Sequence, residues 1–492
     1  MQDDEESTRA QLNAMNKIYA NSLFTIFSAQ NEDASQGLYG VRRVSTSPPN
    51  TQSSWGFWGS RISLPQSPSR NHRQNMLDHA RDLMRSTWYS RGWTFQEHLF
   101  STRKLVFHNN TVNWECLCAA WHEAQNLVPS SDGPEREQEQ PATFTVPTAQ
   151  KYRSGLYLSP WPNMYRFSRL VCMYNRRTLT FPEDVLDALS GSLSALSCTF
   201  QGGFISGLPR FCFDAALLWQ PWNELERRVS QRVDSSEAVL PSWSWAGWAG
   251  TLNSESWRSA SAYVKEHADV GERCMWRTRS TVEWRHSETL DSKQELVSLP
   301  GLVVPEGDPA ELPGGWTMHV TETGEKVYRH AGDPNQDFVS PVPITPPHTA
   351  PSAPLRSRFL HARTRRAYFK LGRSYSSTTS VCTVTEVTES GRWAGVLRLN
   401  YAAYHDHRSS HRGKRVELVE ISAGSTTNQA MGEESFDEWN SPECPRHTGV
   451  YEFYNVLWVE WEEGVAYRKA LGRVEKSVWE RKEKEEIDLV LG

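Results

Sequence analysis

The period of the hydrophobic pattern changes near residue 240, and this change constrains the fold more than any other feature. Upstream, the apolar residues of FPEDVLDALSGSLSAL (181–196) recur at helical spacing and form one stripe. Downstream, apolar and polar residues alternate in short runs, as half-buried strands require. These runs are YVKEH (263–267), VEWRH (282–286), RAYFKLG (366–372), VLRLN (396–400), RVELVEIS (415–422) and YNVLWVEW (454–461). The pattern predicts a helical connector over 160–239 and a mostly antiparallel β region over 240–475.

The first 125 residues have a different hydrophobic pattern. A helical segment precedes LFTIFSA (23–29), a β-prone run, and this helix-to-strand step is typical of a parallel α/β sheet. Residues 74–85 predict a second helix. KLVFHNNTVNWEC (104–116) predicts a hairpin that turns at Asn109 and Asn110. No strand precedes the first helix, so we expect the strand at 23–29 to lack its usual neighbour. The sequence therefore predicts a multi-domain chain of the α+β or α/β class.

Three segments carry other signals. Residues 126–159 read as a linker, because positions 128–150 are polar, acidic and contain proline. The proline-rich stretch 334–354 predicts a disordered insertion in the β region. Residues 476–492 begin with many charged residues and end in LVLG, which predicts a charged C-terminal helix with an apolar tail.

Composition excludes several classes of function. The 53 basic and 58 acidic residues give a net charge of −5, so no overall positive field would recruit nucleic acid. No run approaches the ~20 apolar residues of a transmembrane helix, and the N-terminus MQDDEESTRA resembles no signal peptide. The 8 cysteines form no C-x-x-C pair, which indicates reduced thiols in a cytoplasmic protein. We find no phosphate loop or dinucleotide fingerprint, and Cys116, Cys118 and His122 lack a second ligand pair, so we predict neither cofactor nor metal.

The chain is rich in tryptophan, with 21 residues. Amphipathic rings of this kind usually pack strands and interfaces. The residues expected to be largely buried are Trp93, Trp114, Leu186, Leu189, Trp219, Trp243, Trp245 and Trp458.

One motif, WYSRGWTFQEHLFSTRK (88–104), concentrates polar and aromatic residues. A helix over WTFQEHL places Trp93 and Glu97 on one face. A carboxylate beside a tryptophan can have a raised pKa and act in acid–base chemistry. Alternatively, the helix anchors the core and Glu97 pairs with Arg91 or Arg103. Glu97 is thus the only catalytic candidate, and spacing alone favours the structural role.

The same block resembles the closing segment of the fungal heterokaryon incompatibility (HET) domain, whose pattern is roughly W-x-x-R-[GA]-W-[TC]-x-Q-E-x-x-[LF]-[SA]-x-[RK]. The residues that carry the resemblance are Trp88, Arg91, Gly92, Trp93, Thr94, Gln96, Glu97, Ser101 and Arg103, followed by Trp114, Glu115 and Cys116. QDDEESTRAQLNAMNKIYANSLFTIFSA is similar to the middle of that domain. GGFISGLPRFCFDAALLW (202–219), LPSWSWAGWAG (240–250) and the C-terminal end are similar to regions that follow it. Two opening blocks of the family, S-Y-x-W-G and W-[IL]-D-x-[IL]-C-I, would lie before Met1, so we expect residues 1–125 to be a partial HET domain.

The resemblance implies a role in fungal allorecognition, in which incompatible partners trigger growth arrest or programmed cell death after hyphal fusion. It also implies a truncated α/β remnant similar to TIR domains, some of which cleave NAD with a glutamate. No glutamate here maps onto that role residue by residue. Three hypotheses stay open: an effector that acts through contacts with a protein partner or through self-association, an enzyme that consumes NAD, and an inactive truncated paralogue.

Overall fold

The computed structural model describes residues 14–29, 72–109, 111–116, 120–122, 159–231, 240–261, 263–265, 276–298, 312–346, 348–374, 381–387, 391–400, 413–427 and 450–492. The chain divides into two compact units. We call Met1–Tyr157, Arg177–Leu179 and Asp187–Gly191 the N-terminal unit. The C-terminal unit is Leu158–Arg176, Thr180–Leu186 and Ser192–Gly492. The predicted linker residues 128–150 lie outside the described part of the chain.

The N-terminal unit combines short helices with a four-stranded sheet. Its helices are 14–21, His72–Leu83, Thr87–Ser90 and Thr94–Phe100. Its strands are β1 (Thr25–Ser28), β2 (Arg103–His108), β3 (Thr111–Cys116) and β4 (Ala120–His122), in the order β1-β2-β3-β4. The strand β1 runs parallel to β2, as the helix-to-strand step predicts, and within the described residues it forms one edge of the sheet. The hairpin between β2 and β3 is also confirmed, and Asn109 takes φ 50° at its turn.

A small apolar core holds this unit together. Phe27 on β1 and Val106 on β2 are almost fully buried, since the two strands lie side by side. Leu83, Trp88 and Tyr89 from the helices pack in the same cluster. The rings of Phe27 and Trp88 lie 4.8 Å apart. The helices are therefore held to the sheet mainly by aromatic burial.

The first part of the C-terminal unit is a set of short helices and two-residue strands. The helices are Met164–Asn175, Pro182–Val185, Ser190–Leu196 (from Ser192 onward in this unit), Phe213–Ala216, Trp245–Gly247 and Ser254–Ala260. The strands are β5 (Phe204–Ile205), β6 (Leu208–Pro209), β7 (Glu226–Arg227) and β8 (Trp248–Ala249).

The helix predicted over 181–196 is not continuous. A 3-10 turn at Pro182–Val185 and an α-helix at Ser190–Leu196 replace it. Tyr174 donates from its hydroxyl to the carbonyl of Val185 at 2.6 Å, and that carbonyl is then engaged by a side chain. Three serines and a glycine between 190 and 194 further weaken the helical preference.

The remainder of this unit is dominated by a ten-stranded sheet that is almost entirely antiparallel. Its strands are β9 (Arg277–Arg279), β10 (Arg285–Ser287), β11 (Glu295–Leu296), β15 (Phe359–Ser374), β16 (Val381–Glu386), β17 (Trp393–Leu399), β18 (Arg415–Thr427), β19 (Val450–Glu462), β20 (Val465–Glu475) and β21 (Glu485–Leu491). Neighbours follow the order β15-β16-β17-β20-β19-β18, and β18 pairs back onto β15. Six strands thus form a closed ring, which confirms the antiparallel β prediction for this region.

Apolar side chains fill the ring. Phe369, Leu397, Leu418 and Val456 are completely buried. The short helix Lys476–Arg481 adds Trp479, whose ring stacks on that of Phe369 at 6.0 Å and 8°. The alternation of the strands points one face of each strand into this core.

Two predictions for the second half of the chain are wrong. Residues 476–492 are not one helix, because the helix ends at Arg481 and β21 (Glu485–Leu491) pairs along β15. In β21, Leu489 and Leu491 are buried while the glutamates before them are exposed, a two-residue alternation that suits a strand. Residues 334–354 are not a disordered insertion either. The strands β12 (Trp316–Val320), β13 (Lys326–His330) and β14 (Asp333–Phe338) form a small sheet, and β14 runs into this segment as far as Phe338.

An aromatic core holds the beginning of that segment. Phe338 at the end of β14 is fully buried, 5.0 Å from the ring of Trp316 and stacked 6.4 Å from Tyr263. The predicted strand at 263–267 is reduced to a single bridge between Val264 and Phe338 in the residues that the structure describes. No helix among the described residues is long and apolar enough to cross a lipid bilayer.

The burial predictions are mostly confirmed. The buried residues are Leu186, Leu189, Trp219, Trp243, Trp245 and Trp458. Trp93 and Trp114 are partly buried, less completely than these six residues.

Candidate functional site

The block Trp88–Arg103 forms a helix, a sharp turn, a second helix and the start of β2 in the N-terminal unit. Ser86 caps the first helix, since its side chain accepts from the backbone N–H of Tyr89 at 3.1 Å. Arg91 has an extended backbone and ends that helix. Thr94 donates from its hydroxyl to the carbonyl of Trp88 at 2.6 Å and so locks the second helix against the first. The turn between the helices is thereby fixed by side-chain hydrogen bonds.

The segment Arg177–Leu179 lies against this turn. The N–H of Gly92 donates to the carbonyl of Thr178, and the N–H of Thr178 donates to the carbonyl of Ser90, both at 2.7 Å. A Cβ on Gly92 would lie 2.4 Å from Cδ2 of Leu179. Only glycine lets the two backbones approach this closely without displacing Leu179.

Arg177 is the residue that joins the helices. Its side chain is buried and its Nη1 donates to the carbonyl of Arg91 and to Oγ1 of Thr94, each at 3.2 Å. The guanidinium lies 4.1 Å from the ring of Tyr89 and 4.8 Å from that of Phe95. A buried cation is thus held at the turn by a carbonyl, a hydroxyl and two aromatic faces.

Glu97 faces this positive charge. Burial raises the pKa of the Glu97 carboxyl, while the charges of Arg91 and Arg177 and a hydrogen bond from Trp88 lower it only in part. Burial and the nearby Glu97 charge together raise the pKa of Tyr19 to about 12, so this phenol stays protonated at neutral pH. Glu97 therefore lies among two arginines, an indole and a phenol. Arg103, the other arginine expected beside Glu97, is exposed and donates to the carbonyl of Leu23 at 3.4 Å.

The next residue, His98, is enclosed by aromatic rings. Those of Phe27, Trp88 and Tyr89 lie 6.2, 5.8 and 6.2 Å from its imidazole. Burial, together with the charges of Lys104 and Arg177, holds the pKa of His98 well below its usual value. The Nζ of Lys104 lies 3.1 Å from Nε2 of His98, which must accept because an ammonium only donates.

Other polar residues of the block bind backbone or neighbouring strands. Gln96 is fully buried, and its Nε2 donates to the carbonyl of Ala188 at 2.7 Å. Ser101 donates from its hydroxyl to the carbonyl of Glu97 at 2.7 Å, and its oxygen lies 2.8 Å from the hydroxyl of Thr25. These bonds fix the second helix against the segment Asp187–Gly191 and against β1.

The structure brings only part of the sequence motif together. Trp88 and Arg91 both act on the carboxyl of Glu97, and Thr94 bonds to the carbonyl of Trp88. The residues of β3 instead lie along the sheet. There Trp114 faces Phe24 at 6.5 Å, Glu115 approaches Lys104 at 3.9 Å, and Cys116 pairs with Arg103 in the strand register.

The residues of the site that sequence reasoning missed are Tyr19, His98, Lys104 and Arg177. His98 and Lys104 lie inside the motif 88–104, so the sequence pattern itself included them. Tyr19 lay in the helix before β1 without any sign of its contact. Arg177 lies 83 positions from Thr94, and nothing local links the two residues.

The chemistry open to this arrangement is limited. A carboxyl whose pKa is raised can transfer a proton or can serve as an uncharged hydrogen-bonding group inside the unit. No group of three or more histidine, cysteine, aspartate or glutamate residues in the described part of the chain is arranged to hold a metal ion.

A family model described as "Heterokaryon incompatibility protein (HET)" matches residues 1–97 of this chain. The match covers the helix 14–21, β1 and the block as far as Glu97. No curated protein and no solved structure matches the chain.

Proposed function

We propose that this protein, whose residues 1–97 match the heterokaryon incompatibility family, acts in fungal non-self recognition and leads to regulated cell death through protein contacts. The main support for the proposal is the family match, which ends at Glu97 inside the block Trp88–Arg103. The partner is another protein or a second copy of this chain. We place the protein in the cytoplasm, in keeping with the free thiols of the described cysteines.

The contacts of the block support a structural role for it. Thr94, Gln96 and Ser101 donate to backbone or hydroxyl groups of the same unit. Gly92 and Arg177 fix the turn that presents the second helix. A block whose polar groups serve the fold can present a surface to a partner without taking part in chemistry. The parallel pairing of β1 with β2 supports our further proposal that this unit has a TIR-like α/β fold.

One observation favours a second candidate, an enzyme that consumes NAD. Glu97 has a raised pKa and lies near the protonated phenol of Tyr19, as a proton-transferring carboxyl would. The TIR-like fold that we propose for this unit does not itself support the enzyme, because a fold does not specify a reaction.

Glu97→Gln separates the two candidates. The raised pKa means that the folded unit tolerates an uncharged group at this position, and glutamine keeps the shape and one acceptor for Trp88. We therefore expect Glu97→Gln to keep its thermal unfolding midpoint. If the block is structural, the variant also keeps its cell-death activity, measured as growth arrest after hyphal fusion. If Glu97 is catalytic, a stable variant is inactive.

The matched control is Glu115→Gln, which removes one half-buried carboxylate on β3 and leaves Glu97 unchanged. A direct assay completes the design: purified protein is incubated with NAD and nicotinamide release is measured. Release that Glu97→Gln abolishes and Glu115→Gln preserves would replace our proposal with the enzyme.

A further inference from the structure

The strand β1, at one edge of the N-terminal sheet, carries apolar side chains on both of its faces. Phe27 points into the core of the unit and is buried there. Leu23, Phe24 and Ile26 are instead 76, 44 and 50% exposed. The segment 23–29 contains no charged residue and no proline, which are two of the features that protect an edge strand from pairing with another chain.

The exposed apolar face continues across the sheet. Ile26 is the register partner of Leu105 on β2, and Leu105 is the partner of Trp114 on β3. Residues that are paired in register lie on the same face of a sheet, and Leu105 and Trp114 are both partly exposed. The ring of Phe24 lies 6.5 Å from that of Trp114, so Phe24 belongs to this face as well. An apolar row therefore runs from β3 to the edge of the sheet and ends at Ile26.

The backbone of β1 has one open side. In the part of the chain that the structure describes, β1 pairs only with β2. The N–H of Ala29 donates to the carbonyl of Phe107 on β2 at 2.9 Å. Because these groups alternate in direction along a strand, those of Phe24, Ile26 and Ser28 point away from β2.

We propose that β1 pairs antiparallel with β1 of a second copy of this chain. The outward backbone groups fix the register, because only residues that point them outward can exchange hydrogen bonds. With a two-fold axis at Ile26, this residue faces Ile26 of the second copy, and Phe24 faces Ser28 in both directions. A second copy fits this edge because it supplies the same outward groups and continues the same apolar row.

The size of the surface predicts a weak dimer. Leu23, Phe24 and Ile26 expose about 300 Å² of apolar surface in each copy, a size at which a patch marks an interaction site. The two copies together would bury about 600 Å² of it, which is below the about 1,200 Å² of a stable complex. We therefore expect a reversible equilibrium. This inference deepens the proposed function, on which it rests, by naming a second copy as the partner.

The test is sedimentation velocity of the full chain across a wide range of protein concentration, and we expect monomer and dimer in equilibrium. Ile26→Lys places two like charges opposite each other at the two-fold axis and should raise the Kd of the dimer about tenfold or more. The matched control is Ile18→Lys, since Ile18 is 55% exposed in the helix 14–21, outside the strand. This control should change Kd less than about twofold, the effect of a general change in net charge.

A charge exchange tests the register itself. Ile26→Glu alone should dissociate the dimer as Ile26→Lys does. An equimolar mixture of the two variants should restore it, because opposite charges then face each other across the axis. Ser28→Pro provides a variant without a new charge: it removes an outward N–H at an exposed edge position and should also weaken the dimer. Unfolding midpoints show that each variant is folded.

The inference is overturned if the parent protein is a monomer at every concentration, if Ile26→Lys and Ile18→Lys weaken the dimer equally, or if the mixture does not restore it. Growth arrest after hyphal fusion, scored in parallel, separates this inference from the proposed function. A dimer that causes no growth arrest contradicts the proposed function and leaves this inference in place. Growth arrest caused by a chain that is always monomeric overturns this inference alone.

Discussion

Asp214→Asn should stabilise the C-terminal unit at neutral pH. Asp214 lies in the helix Phe213–Ala216, and its Oδ1 is buried without a hydrogen-bond partner among the described residues. Burial raises the pKa of this carboxyl from 3.8 to about 6, and hydrogen bonding from Ser280 and Trp284 lowers it only in part. The folded unit therefore disfavours the ionised form.

The size of the effect follows from the two pKa values. A change from 3.8 to about 6 corresponds to about 3 kcal/mol in the free energy of unfolding. Because the pKa is raised in the folded state, the neutral acid contributes this stability in full below pH 3.8, and it is lost as the pH rises through about 6. Asparagine is never ionised. We expect Asp214→Asn to match the parent protein near pH 4 and to exceed its stability by up to about 3 kcal/mol at pH 7 and above.

Urea unfolding between pH 4 and 8, followed by tryptophan fluorescence, measures this difference. All other titrating groups are shared, so the difference between variant and parent isolates Asp214. Asp291→Asn, at an exposed position of the same unit, is the control and should show no pH-dependent difference. The reasoning is refuted if Asp214→Asn is less stable than the parent at pH 7, or if the difference stays constant with pH.

Three further changes test particular contacts. Gly92→Ala forces a Cβ against Leu179 and should cost about 1 to 3 kcal/mol in urea unfolding, and adding Leu179→Ala should recover part of this in a double-mutant cycle. Trp479→Phe removes the indole N–H that donates to the buried carboxylate of Glu420 at 2.7 Å, so we expect a loss of about 1.5 to 3 kcal/mol by the same method. Arg177→Met removes two buried hydrogen bonds and two ring contacts, and thermal unfolding should show a loss of about 3 kcal/mol or more; an unchanged midpoint would contradict the role given to Arg177.

Local patterns were sufficient for most of the strands. The alternating runs at 415–422 and 454–461 lie inside β18 and β19, because a two-residue period is a property of consecutive residues. The same local reasoning failed at β21. Its charged beginning resembles a helix, and the alternation of Leu489 and Leu491 has an effect only once β15 is present to pair with it.

The sequence predicted part of the candidate site. One motif contains Trp88, Arg91, Thr94 and Glu97. In the structure, Trp88 and Arg91 act on the carboxyl of Glu97, and Thr94 bonds to the carbonyl of Trp88. Of the two arginines that spacing left open as partners for Glu97, Arg91 lies near the carboxyl and Arg103 does not, and spacing alone could not decide between them. The pKa shift of Glu97 was likewise beyond the sequence, because it depends on burial by residues from other elements.

The sequence by itself determined the local patterns of this protein: helix and hairpin at the start, alternating strands after residue 240, a weakly negative charge and the motif at 88–103 that resembles the HET family. Each of these depends on neighbours along the chain. Only the tertiary structure decided that Arg177 joins the helices of that motif, that β18 closes the ring by pairing with β15, and that Asn455 and Arg473 face each other across strands. These contacts join residues far apart in the chain, and they form because folding removes apolar surface from water and leaves buried charges and backbone groups to find partners.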